Sequence, residues 1–316
     1  MLLFPFIGHT RADSIPAADM SAMATHAFRA GKNPDFIAVD GNDAWVVDDR
    51  QSAVFKISDQ GKIIVRVAVP QACTAPIYGY GYLWVMSCTG KSLYKIDHRS
   101  GTIAAVIPTG MADSSGEMSL SATGGFIWLL SDSTGVLSKV DPRRNSIVKQ
   151  IAVQPFSYGS CSGFGAIWIS NYRNNSVQSI SLVTDTVSAT IAVGKHPRFI
   201  TAGENGVWTL NQGDGTVSRI DPLSKKMVAG IDVAAKGGGG DIAAGAGKIW
   251  VVSTNPQRPV QLIDPRTNSV QKIYRQAVNG RPAEKVDGAV RAGRRGTWVT
   301  GYHSSTVWQF RNRGGG

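Results

Sequence analysis

Residues 199–233 read FITAGENGVWTLNQGDGTVSRIDPLSKKMVAGIDV and contain the pattern that decides the fold. A run of small and apolar residues leads to a glycine-bearing turn and then to Trp208. A polar loop, a strand that ends in Ile-Asp-Pro and a final alternating strand follow. Asp and Pro favour a tight turn, because Asp accepts hydrogen bonds from the backbone ahead and Pro presets φ. The segment therefore predicts four short antiparallel strands.

This pattern recurs along the chain, with a tryptophan at one fixed place in each unit. A strand-like repeat near 40 residues is typical of propeller blades, and a closed ring buries the sheet faces that a single blade would expose. We therefore predict an all-β, seven-bladed β-propeller with four-stranded antiparallel blades, in which each tryptophan packs between neighbouring blades. Seven of the eight tryptophans share this context, at spacings of 39 to 48 residues: Trp45, Trp84, Trp128, Trp168, Trp208, Trp250 and Trp298.

The two ends of the chain predict how the ring closes. The last unit stops after TVWQFRNR, at its third strand, so its outer strand must come from elsewhere. Residues 27–37, AFRAGKNPDFI, match residues 190–200, TIAVGKHPRFI, which form the exit from the outer strand of a central unit. We expect this N-terminal strand to complete the last blade and remove two exposed edges. The predicted propeller spans 21–313, and 1–20 is expected to be an N-terminal extension or the remnant of a signal peptide.

Composition and charge narrow the classes of partner. The formal net charge is +11, but the basic residues are scattered through the turns and form only short local pairs. This distribution favours a generally basic surface over a nucleic-acid partner. The chain has no apolar stretch of membrane-spanning length, so no membrane span is expected. We expect a monomeric, periplasmic or secreted protein, with a cytoplasmic location as the alternative.

Three cysteines leave two alternatives open. Cys73 and Cys88 fall on the same rim of one predicted blade, where an oxidising compartment would allow a disulfide and leave Cys161 free. Three buried thiols are the other alternative. The spacing fits no zinc signature.

The repeat P-x-F-I-A, G-x-x-W-V, V-x-x-I-D-P-x-T-N-x-V and I-x-V-G resembles the YVTN or YncE-like bacterial β-propellers. It is also similar to the propeller of virginiamycin B lyase, the enzyme that inactivates streptogramins. The likeness runs from about residue 22 to 313 and rests on residues that build blades. It implies a seven-bladed propeller and is less specific for function.

The lyase resemblance implies a metal-assisted C–O lyase with a histidine base and acidic metal ligands at one end of the ring. Blades of that family carry a Trp-Phe-Thr-Glu run. The corresponding runs here are WVVD, WVMS, WLLS, WISN, WTLN, WVVS and WVTG, so the fourth position holds no glutamate and its one acidic residue is Asp48. No catalytic residue is therefore carried over from that family.

A binding site is expected at the mouth of the central channel, where loops after the tryptophan strands meet the connections between blades. We take four residues as candidate catalytic groups, with His303 as general base, Tyr302 or Glu284 assisting it, and His196 nearby. Arg198 is expected to bind an anionic group. The insertion VNGRPAEKVDG lengthens one connection at this mouth. The further candidate ligand-binding residues are Asp35, Asp48, Arg50, Tyr172, Arg173, Asp241 and Asp287.

Two functions compete on these residues. The first is an exported, non-catalytic binding propeller that presents its mouth to a small molecule or peptide. The second is a small-molecule C–O lyase or lactone hydrolase at the same mouth. Asp241, Glu284, Asp287 and the histidines offer ligands for a divalent metal such as Mg²⁺, although no pair has a diagnostic spacing. The alternative to both is that these residues are ordinary solvated rim residues.

Overall fold

Seven four-stranded antiparallel sheets surround a central channel, as the repeat predicted. The computed structural model describes residues 15–111, 118–131, 133–278, 281–282, 286–293 and 295–311. Each blade runs from an inner strand at the channel to an outer strand at the periphery, and the tryptophan strand is second. Along the described chain no helix is long and apolar enough to cross a membrane.

In each of the first three blades the four strands follow one another in order from the channel to the periphery. Blade one comprises Pro34–Asp40, Asp43–Asp48, Ala53–Ile57 and Ile63–Ala68. Blade two comprises Ile77–Gly79, Tyr82–Ser87, Ser92–Ile96 and Ile103–Pro108. Blade three comprises Ser119–Thr123, Phe126–Ser131, Val136–Asp141 and Ser146–Ala152.

The remaining blades repeat this order. Blade four comprises Ser157–Gly163, Ala166–Asn171, Ser176–Ser181 and Thr186–Ala192. Blade five comprises Pro197–Gly203, Gly206–Asn211, Thr216–Asp221 and Lys226–Asp232. Blade six comprises Asp241–Gly245, Lys248–Val252, Val260–Asp264 and Ser269–Arg275. Blade seven comprises Val290–Ala292, Gly296–Gly301, Thr306–Arg311 and, as its outer strand, His26–Arg29.

The N-terminal strand closes the ring, which confirms the prediction from the chain ends. His26–Arg29 pairs antiparallel with Thr306–Arg311. Just before it, Ala17–Asp19 forms a parallel fifth strand on blade six, beside Ser269–Arg275. The four-residue helix Met20–Met23 joins the two strands and buries Met20 completely. Part of the segment expected to be an extension is therefore paired with the ring, and a strand of three residues is too short to show a period in the sequence.

A short hairpin lies in the insertion that lengthens the connection from blade six to blade seven. Its strands are Ala277–Val278 and Arg281–Pro282, which pair antiparallel.

The recurrent tryptophans are buried between blades, as predicted. Trp208 of blade five is fully buried in an apolar cluster that also contains Ile242 and Ile249 of blade six. Its indole N–H donates to the carbonyl of Gly203, at 3.0 Å, and the Arg219 guanidinium carbon lies 4.8 Å from the ring centroid. Indole N–H groups of Trp84, Trp128 and Trp168 donate in the same way to the turn five residues before. The tryptophan thus packs two blades together and fixes the turn that precedes it.

The aspartates of the Asp-Pro turns accept hydrogen bonds from backbone N–H groups. Asp141 accepts hydrogen bonds from the Arg143 and Arg144 amides at 2.7 and 3.1 Å. Asp264 accepts from the Arg266 amide at 2.9 Å. These carboxylates therefore form the turns between third and outer strands, as the sequence indicated.

Cys73 and Cys88 are joined in a disulfide, and Cys161 is free. Cys73 lies on the connection from blade one to blade two, and Cys88 directly follows the second strand of blade two. Their Cα atoms are 5.8 Å apart, and the Cys73 amide donates to the carbonyl of Met86 beside the bond. The disulfide therefore links an inter-blade connection to the blade that it enters.

We expect the double variant Cys73→Ser/Cys88→Ser to unfold more easily than the parent. The bond closes a loop between residues 15 apart in sequence, and loss of a constraint of this size costs about 3 kcal/mol of the free energy of unfolding. Urea denaturation followed by tryptophan fluorescence measures the change. Cys161→Ser serves as the matched control. Equal midpoints for the double variant and the parent under oxidising conditions would contradict a stabilising role for the bond.

Candidate functional site

Two sets of loops lie side by side at one end of the channel, which we call the upper mouth. One set follows the second strands, and the other connects the outer strand of a blade to the inner strand of the next. Backbone bonds join them directly: the Gln212 amide donates to the carbonyl of His196 at 3.0 Å, and the Tyr302 amide to that of Asp287 at 2.6 Å. The candidate residues therefore share one face of the ring.

In several blades the fourth residue of the tryptophan run holds these loops in place through its side chain. Asp48 is fully buried, and its carboxylate accepts hydrogen bonds from the Lys32 amide at 2.6 Å and from the Gln51 amide and side chain at 3.1 and 2.7 Å. Asn171 accepts from the Asn174 amide at 2.8 Å and donates to the carbonyl of Pro155 at 2.7 Å. Ligand binding by Asp48 stays a prediction, but its oxygens already tie two loops together.

Four side chains at the entries to blades four and five form one stacked group, which we call the aromatic cluster: Tyr158, Tyr172, His196 and Arg198. The rings of Tyr172 and His196 stack at 4.5 Å with an interplanar angle of 14°. Tyr158 meets Tyr172 edge to face at 5.5 Å. The Arg198 guanidinium carbon lies 4.1 Å from the Tyr158 ring centroid. Such contacts are each favourable by about 0.5–1.5 kcal/mol, so they hold the rings in fixed orientations.

The backbone also fixes His196. This residue has φ of 54°, in the left-handed region that a non-glycine residue seldom occupies. The Asn175 side chain accepts its amide hydrogen at 2.8 Å. His196 itself is exposed, whereas Tyr158, Tyr172 and Arg198 are half-buried. The exposed imidazole therefore stacks on the Tyr172 ring, which in turn packs against Tyr158.

Arg173 extends this surface. Its guanidinium carbon lies 3.4 Å from the ring centroid of Phe156, and the side chain is otherwise exposed. Phe156 and Tyr158 were not among the predicted site residues. The sequence did carry a signal for them, because Pro155-Phe156-Ser157-Tyr158 places two aromatic side chains close together at the entry to blade four.

A second group, the His303 cluster, lies between blades seven and one and consists of Asn33, Asp287, Tyr302 and His303. The imidazole Nε2 of His303 is 3.7 Å from the nearer carboxylate oxygen of Asp287. The Tyr302 and His303 rings meet edge to face at 5.1 Å. The Asn33 side-chain amide donates to the carbonyl of Tyr302 at 3.1 Å. The His303 side chain is 57% exposed, so water reaches the imidazole freely.

The remaining candidates belong to neither group. Asp241 is buried beside Arg291 and accepts hydrogen bonds from the Ile242 and Val290 amides at 2.8 and 3.1 Å. Burial raises the pKa of the Asp241 carboxyl, and Arg291 opposes that rise. Arg50 is exposed in the short turn Asp49–Gln51, and the Asp35 carbonyl accepts from the Thr300 hydroxyl at 2.5 Å.

The structure thus brings His303, Tyr302 and Asp287 together, and separately His196, Tyr172 and Arg198. Glu284 lies outside the described residues. The donor set for a divalent metal does not assemble among the described residues: no three His, Cys, Asp or Glu side chains converge, and the Asp241 oxygens are taken up by N–H donors. The described part of the upper mouth does not fit the metal site that the lyase resemblance implied.

No protein-family model matches the chain, and no curated protein sequence matches it. Solved structures do match. A streptogramin B lyase aligns with a TM-score of 0.72 and 16% identity over 88% of this chain and 93% of that one. Selenomethionine-substituted virginiamycin B lyase from Staphylococcus aureus gives 0.71 and 15%, over 89% and 95%. A catalytically inactive variant of that enzyme with quinupristin gives 0.71 and 14%, over the same shares. At these identities the likeness shows the propeller fold.

Proposed function

We propose that this chain is an exported β-propeller that binds a small molecule or peptide at the upper mouth, with the aromatic cluster as the centre of its binding surface. The observation that carries the proposal is the ordered stack of Tyr158, Tyr172 and His196 beside the Arg198 guanidinium. Rigid rings contribute contact area with little loss of conformational entropy, and a guanidinium pairs with carboxylate or phosphate. The ligand we propose therefore combines a planar group with an anionic group.

Export is supported by the disulfide between Cys73 and Cys88. Disulfides persist in oxidising compartments and are rare in the cytosol. We include a periplasmic or secreted location and a monomeric state in the proposal.

A catalytic role is the second candidate, because His303 and Asp287 form a histidine–carboxylate pair at the same mouth. In this candidate His303 removes a proton beside a carbonyl, or from water in a lactone hydrolase. The separation of 3.7 Å exceeds a hydrogen bond, and the exposed imidazole leaves water in contact with it. The aromatic cluster has three ring contacts within 5.5 Å, whereas the His303–Asp287 pair is beyond hydrogen-bond reach, so binding is the function that we propose. Retention of any lactonase or lyase activity in His303→Ala would count against His303 as its base.

Ligand binding is tested with a panel of aromatic carboxylates, from benzoate to phenylalanine-containing dipeptides, by saturation-transfer NMR. We expect Arg198→Gln to weaken binding of the panel members that the parent binds by roughly tenfold or more, since a charge-assisted hydrogen bond contributes about 1.5–3 kcal/mol. Tyr172→Ala should weaken binding as well, because His196 loses the ring on which it stacks.

Lys195→Gln is the matched control. It removes the same charge from an exposed side chain next to His196, in the connection that leads into the strand of Arg198. Binding should then differ little from the parent. If Lys195→Gln and Arg198→Gln weaken binding equally, the surface acts through its general charge, and the aromatic cluster is not the site. If no panel member binds the parent protein, the proposed ligand chemistry is wrong.

A further inference from the structure

The inner strands place one residue of each blade directly opposite its tryptophan. These seven residues are Ala38, Ile77, Ser121, Cys161, Thr201, Ala243 and Arg291. Six of the positions are neutral, and the seventh carries the guanidinium of Arg291. A single arginine therefore interrupts an otherwise uncharged level of the channel wall.

Arg291 lies at the junction of two cavities. A channel cavity of about 280 Å³ is lined by the inner strands of blades two to seven, including the ring positions from Ile77 to Arg291. A second cavity of about 690 Å³ lies at the opposite mouth, beside the turns at Gly41 and Gly293, and Arg291 lines it too. The arginine can therefore be reached from the mouth opposite the aromatic cluster.

A buried carboxylate from the neighbouring blade fixes the guanidinium. Nη1 of Arg291 donates to Oδ2 of Asp241 and, at 2.6 Å, to the carbonyl of Val290. The Asp241 side chain is 5% exposed and is itself held by two backbone amides. This arrangement aims the guanidinium before any ligand arrives.

Two nitrogen atoms of the Arg291 guanidinium can still donate hydrogen bonds to a ligand. Nε and Nη2 of Arg291 have no acceptor within the described part of the chain, and the side chain is 32% exposed. The charged side chains that line the two cavities are Arg291 and Arg295, both cations. Hydroxyl groups of Ser121, Ser162 and Thr201 lie in the channel wall. Cationic donors and hydroxyls in a confined space are the chemistry that recognises an oxyanion.

We propose that Arg291 forms an anion-binding site inside the central channel, which takes the carboxylate or phosphate group of a small molecule entering by the opposite mouth past Arg295. Asp241 acts as a positioning residue. This site is separate from the aromatic cluster at the upper mouth, and neither proposal depends on the other.

Thermal unfolding in inorganic phosphate tests the site, with sodium acetate as the carboxylate probe and sodium chloride keeping the ionic strength constant. We expect a saturable rise in the unfolding midpoint, of several degrees at about a hundred times the dissociation constant. The comparison of phosphate with acetate identifies which anion the site prefers. A parent protein with no saturable rise in either salt would overturn the proposal.

Three variants separate the site from surface charge. Arg291→Gln combined with Asp241→Asn removes the ion pair together, so no buried carboxylate is left unpaired, and the rise should disappear. Arg291→Lys should weaken binding about tenfold, because an ammonium lacks the planar fork of donors. Arg144→Gln removes one charge from a side chain that is 78% exposed and should keep the rise. An unchanged rise in the double variant would overturn the proposal.

Bromide located by anomalous scattering in crystals gives a second measurement, one that does not depend on stability. We expect a bromide peak in the channel within hydrogen-bonding reach of Arg291, absent from crystals of the double variant. Bromide found only beside exposed lysine and arginine side chains would contradict the site.

Discussion

Deletion of residues 22–31 is expected to unfold the whole ring, and not merely to shorten one blade. Strand His26–Arg29 provides the outer edge of blade seven, where its partner Thr306–Arg311 would otherwise end the sheet. The Thr25 and Ala30 amides add hydrogen bonds to the carbonyls of Gln309 and Ser305, at 2.7 and 3.0 Å. Each such bond contributes about 1 kcal/mol net.

Side-chain packing adds to the loss. The Phe28 ring lies 6.0 Å from that of Trp298, and Ala30 is 1% exposed within the same apolar cluster. The lost packing and the lost backbone bonds together lower the free energy of unfolding by about 5 kcal/mol or more. Many domains have a total free energy of unfolding of that size. Circular dichroism and urea denaturation of the deletion variant measure this, and we expect insoluble protein or a lost cooperative transition.

Two point variants on the same strand show how much of this stability depends on individual side chains. Phe28→Ala keeps the backbone pairing and should cost about 2 kcal/mol, since the ring is only partly buried. Arg29→Ala changes an exposed side chain of that strand and should leave the urea midpoint within experimental error. A deletion variant with the parent's urea midpoint would show that the ring is stable without its closing strand.

The ring was predictable because several independent features of the chain agreed. Seven tryptophans at a regular period indicated the number of blades, and the Asp-Pro turns indicated where strands end. The match between 27–37 and 190–200 indicated closure by an N-terminal strand. The strand Ala17–Asp19 was not predictable, because three residues in a parallel pair leave neither a period nor a turn signal. The disulfide could not be predicted for another reason. The sequence placed Cys73 and Cys88 on one rim, but it did not determine how close together they lie.

The site was only partly predictable. Alignment of the units on their tryptophans placed the candidate loops at one mouth of the channel. It did not determine which side chains contact one another. The stack of Tyr172 on His196 depends on a left-handed backbone at residue 196 and on side-chain torsions. The bond from Arg291 to Asp241 crosses between blades and joins residues 50 apart. The buried role of Asp48 had a readable signal, since serine or asparagine recurs at the equivalent place in other units.

Trp208→Ala is expected to lose about 3–5 kcal/mol of the free energy of unfolding. The side chain is fully buried, and its cluster joins Leu210 and Ile231 of blade five to Ile242 of blade six. Alanine would leave a cavity between two blades, remove the bond to Gly203 and leave the Arg219 guanidinium without the ring beside it. Urea denaturation followed by circular dichroism measures the loss.

Trp208→Phe is the matched variant for this experiment, because it keeps an aromatic ring but removes the N–H donor to Gly203. We expect it to cost about 1–2 kcal/mol, between the parent and the alanine variant. The same two proteins decide whether the tryptophans form a ligand-binding ring. Interblade packing predicts lower stability for Trp208→Ala, with unchanged affinity for the aromatic carboxylates wherever the variant is folded. Unchanged stability with lost affinity would instead show that the tryptophan binds the ligand. Packing between blades would then no longer explain why this residue recurs in all seven units.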